Sequence, residues 1–169
     1  TTESKLPIHY AILAGHLNIV NYLLEETKIE LSYVDENKNT FLHYAAKTTN
    51  EKMIEFFIEN HLDINSLNAN FETPLFNAVR NGTVYTVELF LKNNSYIEIL
   101  NRRFETPTII ADIEHRNDIL DCLKAYEEKP VYINLISKNE LILAVLNRNN
   151  EELRRLILNG STLQKDFLN

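Results

Sequence analysis

Between Asn68 and Leu91 the apolar positions fall into two short helical stripes separated by a polar break. Leu75 and Ala78 share one face of a helix that Thr73 can cap with its hydroxyl. Pro74 suits the first position of that helix, where a missing N–H is no loss. Asn81-Gly82 then stops it. Val84, Val87, Phe90 and Leu91 supply the apolar stripe of a second, longer helix. The segment reads as helix, tight break, helix.

The unit recurs. Pro107 lies 33 positions after Pro74, inside Thr106-Pro107-Thr108-Ile109-Ile110-Ala111, and Phe41 lies 33 before it, inside Thr40-Phe41-Leu42-His43-Tyr44-Ala45. Pro7, inside Leu6-Pro7-Ile8-His9-Tyr10-Ala11, is a further 34 back, and Glu140, inside Asn139-Glu140-Leu141-Ile142-Leu143-Ala144, is 33 beyond Pro107. A period of 33 headed by Thr-Pro-Leu-His-x-Ala resembles the ankyrin repeat over nearly the whole chain. That resemblance implies an all-α solenoid of helix-turn-helix units joined by short β-hairpin loops, with residues 1–169 as one domain. The repeats fall at roughly 5–37, 38–70, 71–103, 104–136 and 137–163, and 164–169 would be a cap or the start of a further repeat.

In this register the second helices should bury Ile19, Val20, Leu23 and Leu24, then Met53, Ile54, Phe57 and Ile58, then Ile119, Leu120 and Leu123. Repeat five keeps the pattern with Leu141, Ala144, Val145, Leu153, Leu156 and Ile157. The bare start of repeat one and the apolar Phe167-Leu168 suggest a domain cut from a longer chain.

Composition narrows the function. A formal charge of −7 argues against nucleic acid as the partner, because backbone binding needs a basic surface. No 18-residue apolar run is present, so no transmembrane helix is expected. Cys122 is the single cysteine, which precludes an internal disulfide and favours an intracellular, cytoplasmic setting. Asparagine is abundant and glycine scarce, a bias of A+T-rich coding, and Asn tolerates the positive φ that turns require.

His9 and His43 are the one pair that invites a metal reading. They sit one layer apart, and packed helices are separated by roughly 8–10 Å, whereas zinc needs ligands at about 2 Å. The resemblance instead makes each a structural hydrogen-bonding residue beside the repeat's Thr. Cys122, flanked by Ile119 and Leu123, is expected to be buried and inert. Glu25-Glu26, Glu127-Glu128 and Glu151-Glu152 read as solvated helix ends. No catalytic set, cofactor or metal site is expected.

The ankyrin resemblance implies that the hairpin tips and the outward side of the first helices line a concave surface that binds other proteins. By register, the candidate binding residues are Tyr44, Lys47, Phe71, Asn77, Arg80, Arg102, Arg103, Phe104 and Ile113. Over all the concave register positions the charges nearly cancel, Lys47, Arg80, Arg102, Arg103 and Lys138 against Glu36, Glu72, Glu105 and Glu114, which leaves the acidity on the back. Phe71 and Phe104 occupy the tip position, two before the Thr, where ankyrin repeats prefer Gly. Either they are exposed anchors beside arginines, or the two rings pack on each other or on the next hairpin as structural replacements for glycine. The function expected is non-catalytic binding of another protein by a chain that is monomeric by itself. The alternatives are the targeting arm of a larger enzyme or a translocated effector, and a self-assembling array.

Overall fold

The structure is a computed structural model, and residues 5–127 are described. The chain divides into two compact units, Thr1–Lys124 and Ala125–Asn169. The helices are α1 (Pro7–Leu13), α2 (Leu17–Thr27), α3 (Phe41–Ala45), α4 (Glu51–Glu59), α5 (Pro74–Asn81), α6 (Val84–Lys92), α7 (Pro107–Ile113) and α8 (Asn117–Glu127). Every predicted anchor among the described residues, namely Pro7, Phe41, Pro74 and Pro107, opens the first helix of a pair. Repeat five, with Glu140, and the tail 164–169 lie outside the described residues.

First helices stack in series, α1 on α3, α3 on α5 and α5 on α7, and each of the first three packs on its own partner helix. The core runs along that stack through Ile8, Ile12, Leu42, Phe41, Leu75, Phe76, Val79 and Ala111 on the first helices, and Met53, Phe57, Val87, Phe90, Ile119 and Leu123 on the second. Ile19 departs from expectation, being 47% exposed. Its register equivalents Met53 and Ile119 are buried because a preceding repeat covers them, and Ile19 has no such neighbour among the described residues. Cys122 is half-buried rather than buried.

Local chemistry fixes the helix ends. The Thr40 hydroxyl accepts from the His43 N–H, Thr106 from Ile109, Thr83 from Thr86, and the Asn50 side chain from Met53. Thr73 is the exception: its buried hydroxyl makes no capping bond and has no partner. Thr40 has a polar side chain beside its hydroxyl, His43 Nδ1 at 2.9 Å, whereas repeat three carries Phe76 at the equivalent place.

Both expected structural histidines are fully buried. His43 Nδ1 accepts from the Thr40 N–H at 3.1 Å, which leaves the proton on Nε2, and Nε2–H donates to the Glu72 carbonyl at 3.0 Å. One imidazole thus ties α3 to the following tip. His9 Nδ1 accepts from the Leu6 N–H at 2.9 Å, while its Nε2 has no polar partner and the ring packs among Tyr33, Phe41 and Tyr44. Burial lowers the pKa of both.

Candidate functional site

The tips that precede α3, α5 and α7 are built by one device used three times. Asp35 accepts at a single carboxylate oxygen from the N–H groups of Asn37 and Asn39, at 2.9 and 2.7 Å. Asn68 does the same for Asn70 and Glu72, and Asn101 for Arg103 and Glu105. A backbone bond closes each loop, from Asp35 N–H to Asn39, Asn68 N–H to Glu72 and Asn101 N–H to Glu105. Within each loop one residue takes positive φ: Lys38 at 60°, Phe71 at 60° and Phe104 at 61°. The hairpin character is slight, with an antiparallel bridge between Val34 and Thr40.

Neighbouring tips are laced together. Ala69 N–H donates to the Asn37 carbonyl at 2.7 Å, and Arg102 N–H to the Asn70 carbonyl at 2.9 Å. A side-chain ladder runs beneath, with Asn68 Nδ2 donating to Asn39 Oδ1 at 3.0 Å and Asn101 Nδ2 to Glu72 Oε1 at 3.1 Å. Asn68, Glu72 and Asn101 are all buried. Buried polar groups with every partner supplied hold a backbone rigidly, so the tips form a firm platform for the side chains above them.

Glu72 is the centre of that platform. Arg80 grips it with two hydrogen bonds of 3.0 and 2.6 Å, and a second carboxylate, Glu114, lies 3.6 Å from the same guanidinium. Burial alone would raise the Glu72 pKa, but the bonds from Arg80 and Asn101 outweigh it and hold the carboxyl below its ordinary range. Desolvation likewise works against the Arg80 charge, and Glu72 more than offsets it. Asp35 is a parallel case, since bonds from the Tyr44 hydroxyl, the Asn39 side chain and two backbone N–H groups overcome burial and lower its pKa.

Above this floor, a cleft of about 420 Å³ is lined by Asn70, Glu72, Arg80, Asn101, Arg102 and Arg103. The Arg102 guanidinium lies over the Phe71 ring at 4.9 Å from its centroid. Arg103 bonds Glu105 at 3.0 Å and keeps most of its side chain in water. Phe71 is 49% exposed and Phe104 is 56% exposed. Both rings are exposed, and one face of Phe71 is covered by Arg102 of the next tip, so exposure and contact with the neighbouring hairpin coexist there.

The nine candidate residues divide by burial. Phe71, Phe104, Arg102, Arg103, Lys47 and Ile113 are exposed, Ile113 at 58%, and Arg80 is half-buried. Tyr44 and Asn77 are not on the surface, at 3% and 6% exposed. They share a register position on the first helices that faces the preceding repeat. Asn77 Nδ2 there donates to the His43 carbonyl at 3.2 Å, and the Tyr44 hydroxyl donates to Asp35 at 2.6 Å. Tyr44 thus braces a tip from within, and Asn77 ties α5 to α3, so neither is part of the tip surface. Lys47 stands over the Tyr44 ring at 5.2 Å. The residues that sequence reasoning missed are the ladder itself, Asp35, Asn68 and Asn101. Their recurrence at intervals of 33 was a readable signal.

A family model described as ankyrin repeats in three copies matches residues 1–68 and 42–134. The chain belongs to the ankyrin-repeat family. Comparison with curated proteins finds no match. Ankyrin repeats are generally protein–protein interaction modules and are typically non-catalytic. No helix among the described residues is long and apolar enough to cross a membrane.

Proposed function

We propose that this ankyrin chain is a non-catalytic module that binds another protein through its tips and the outward side of its first helices, the concave face in ankyrin geometry. One observation carries the reading. Phe71 and Phe104 stand at a backbone conformation that suits glycine, yet each leaves about half its ring in water. The loop imposes that conformation, since Lys38 takes it at the equivalent place, and exposed aromatic surface held there beside arginines has the character of a binding site. The contact residues are Phe71, Phe104, Arg102 and Arg103, with Lys47, Arg80 and Ile113 at the margins, while Tyr44 and Asn77 act from beneath. The mechanism is surface complementarity, without cofactor, metal or covalent step.

The single cysteine suits a reducing, intracellular setting, and the net charge of −7 disfavours nucleic acid as the partner. The same surface would serve equally as the recruiting arm of a larger enzyme or of a host-directed effector. Crosslinked capture from cell extract tests the reading, comparing wild type with Phe71→Ala/Arg102→Glu/Arg103→Glu/Phe104→Ala. These side chains are exposed, so the variant should melt like wild type. A protein retained only by wild type is the expected result. Equal retention by both would move the site off this face.

A further inference from the structure

We infer that the partner presents an acidic segment, with a carboxylate seated between Arg102 and Arg103 and an apolar neighbour against Phe104 and Phe71. This rests on the tip surface being the binding face and adds the chemistry of what it takes. The cleft is lined by three arginines and one glutamate, in a protein whose formal charge is −7. That one glutamate is already satisfied, because Glu72 accepts from both Nη groups of Arg80 and from Asn101. Arg80 is paired with Glu72 and Glu114, and Arg103 with Glu105, so the positive charge left without a carboxylate on the rim is that of Arg102.

The two rim arginines differ in what they have left to offer. Arg103 gives its Nε edge to Glu105 at 3.0 Å and leaves the outer edge to water. Arg102 has no carboxylate partner among the described residues, and its guanidinium is held against the Phe71 face. Its backbone is pinned as well, since its N–H bonds the Asn70 carbonyl. A guanidinium already oriented by an aromatic face loses little freedom when a carboxylate docks. Phe104 lies on the same tip, two residues on, with more than half its surface exposed.

Range separates this partner from a polyanion. Charges in water are screened beyond about 8–10 Å, so a short acidic segment feels the local arginines, whereas an extended nucleic acid would also meet the acidic remainder of the chain.

The test is selection of displayed random peptides on the full chain, followed by fluorescence anisotropy with a labelled copy of the peptide selected. The expected peptide carries Asp or Glu beside an aromatic or branched aliphatic residue. It should weaken at least about tenfold on Arg102→Glu/Arg103→Glu, and as much when its own acids become amides. Neutral or basic peptides lost only on Phe71→Ala/Phe104→Ala would overturn the acidic chemistry and leave the binding face standing. Peptides indifferent to all four substitutions would overturn both. Failure to select any peptide would overturn a linear acidic segment as the ligand. A phosphoserine peptide preferred about tenfold over its glutamate counterpart would overturn a carboxylate in favour of phosphate.

Discussion

Phe104 holds its backbone at φ 61° with its ring largely in water, so its contribution to stability should be negative. Replacing it by glycine removes the left-handed cost of a β-carbon, roughly 1–2 kcal/mol, against the extra freedom glycine has when unfolded. Phe104→Gly is therefore expected to raise stability by about 0.5–1 kcal/mol in urea melts while weakening partner capture. A loss of stability would mean that the ring packs after all. The two threonines make a second contrast. Thr40→Val removes a cap and the hydroxyl beside His43, and should cost about 1–2 kcal/mol. Thr73→Val removes a buried hydroxyl that has no partner, and should be close to neutral. Equal costs would show that the Thr73 hydroxyl is paired in solution.

The elements are joined by polar contacts as well as apolar ones, and these give the molecule its pH dependence. His43 links α3 to the next tip and His9 is buried in α1, both with pKa values lowered from an ordinary 6.5 by burial. The unfolded chain then binds protons that the folded one refuses. Their stabilisation is fully present above pH 6.5 and is lost as the pH falls towards the lowered values. His43→Gln should flatten the stability slope between about pH 7 and pH 5.5, and an unchanged slope would contradict this. Asp35 and Glu72, lowered from 3.8 and 4.5, add a second loss at more acid pH. Glu72→Gln should cost about 2 kcal/mol at neutral pH by leaving the Arg80 charge half-buried and underpaired. The helix pairs were legible in the sequence because Pro and Thr anchors recur with apolar stripes. The ladder below the tips was not read, because polar residues in a turn ordinarily signal solvent, and here Asn68 and Asn101 are buried and bonded to the preceding loop.

At the scale of the molecule, the described first helices stack on their neighbours in series, and in such an array stability is a sum of interfaces. The junction between repeats three and four adds polar contacts to the stacking of α5 on α7. Arg116 reaches back to the carbonyls of Val79, Arg80 and Gly82, at 3.2, 2.7 and 2.5 Å. Gly82 is extended, and its role is one of space, since a Cβ there would meet the Ala78 carbonyl oxygen at 2.6 Å. The register of repeats could be read from the sequence, but which register positions face solvent could not. Tyr44 and Asn77 are buried because each bonds the repeat before it, and Phe71 stays half exposed with Arg102 over one face of its ring. The central claim is that this tip surface, and not the helical back, meets the partner. The most direct measurement places a photocrosslinking phenylalanine analogue at Phe71, at Phe104, or at exposed Tyr85 on α6, and compares adducts with the captured protein. Adducts from positions 71 and 104 but not 85 are predicted, and adducts from Tyr85 alone would contradict the account.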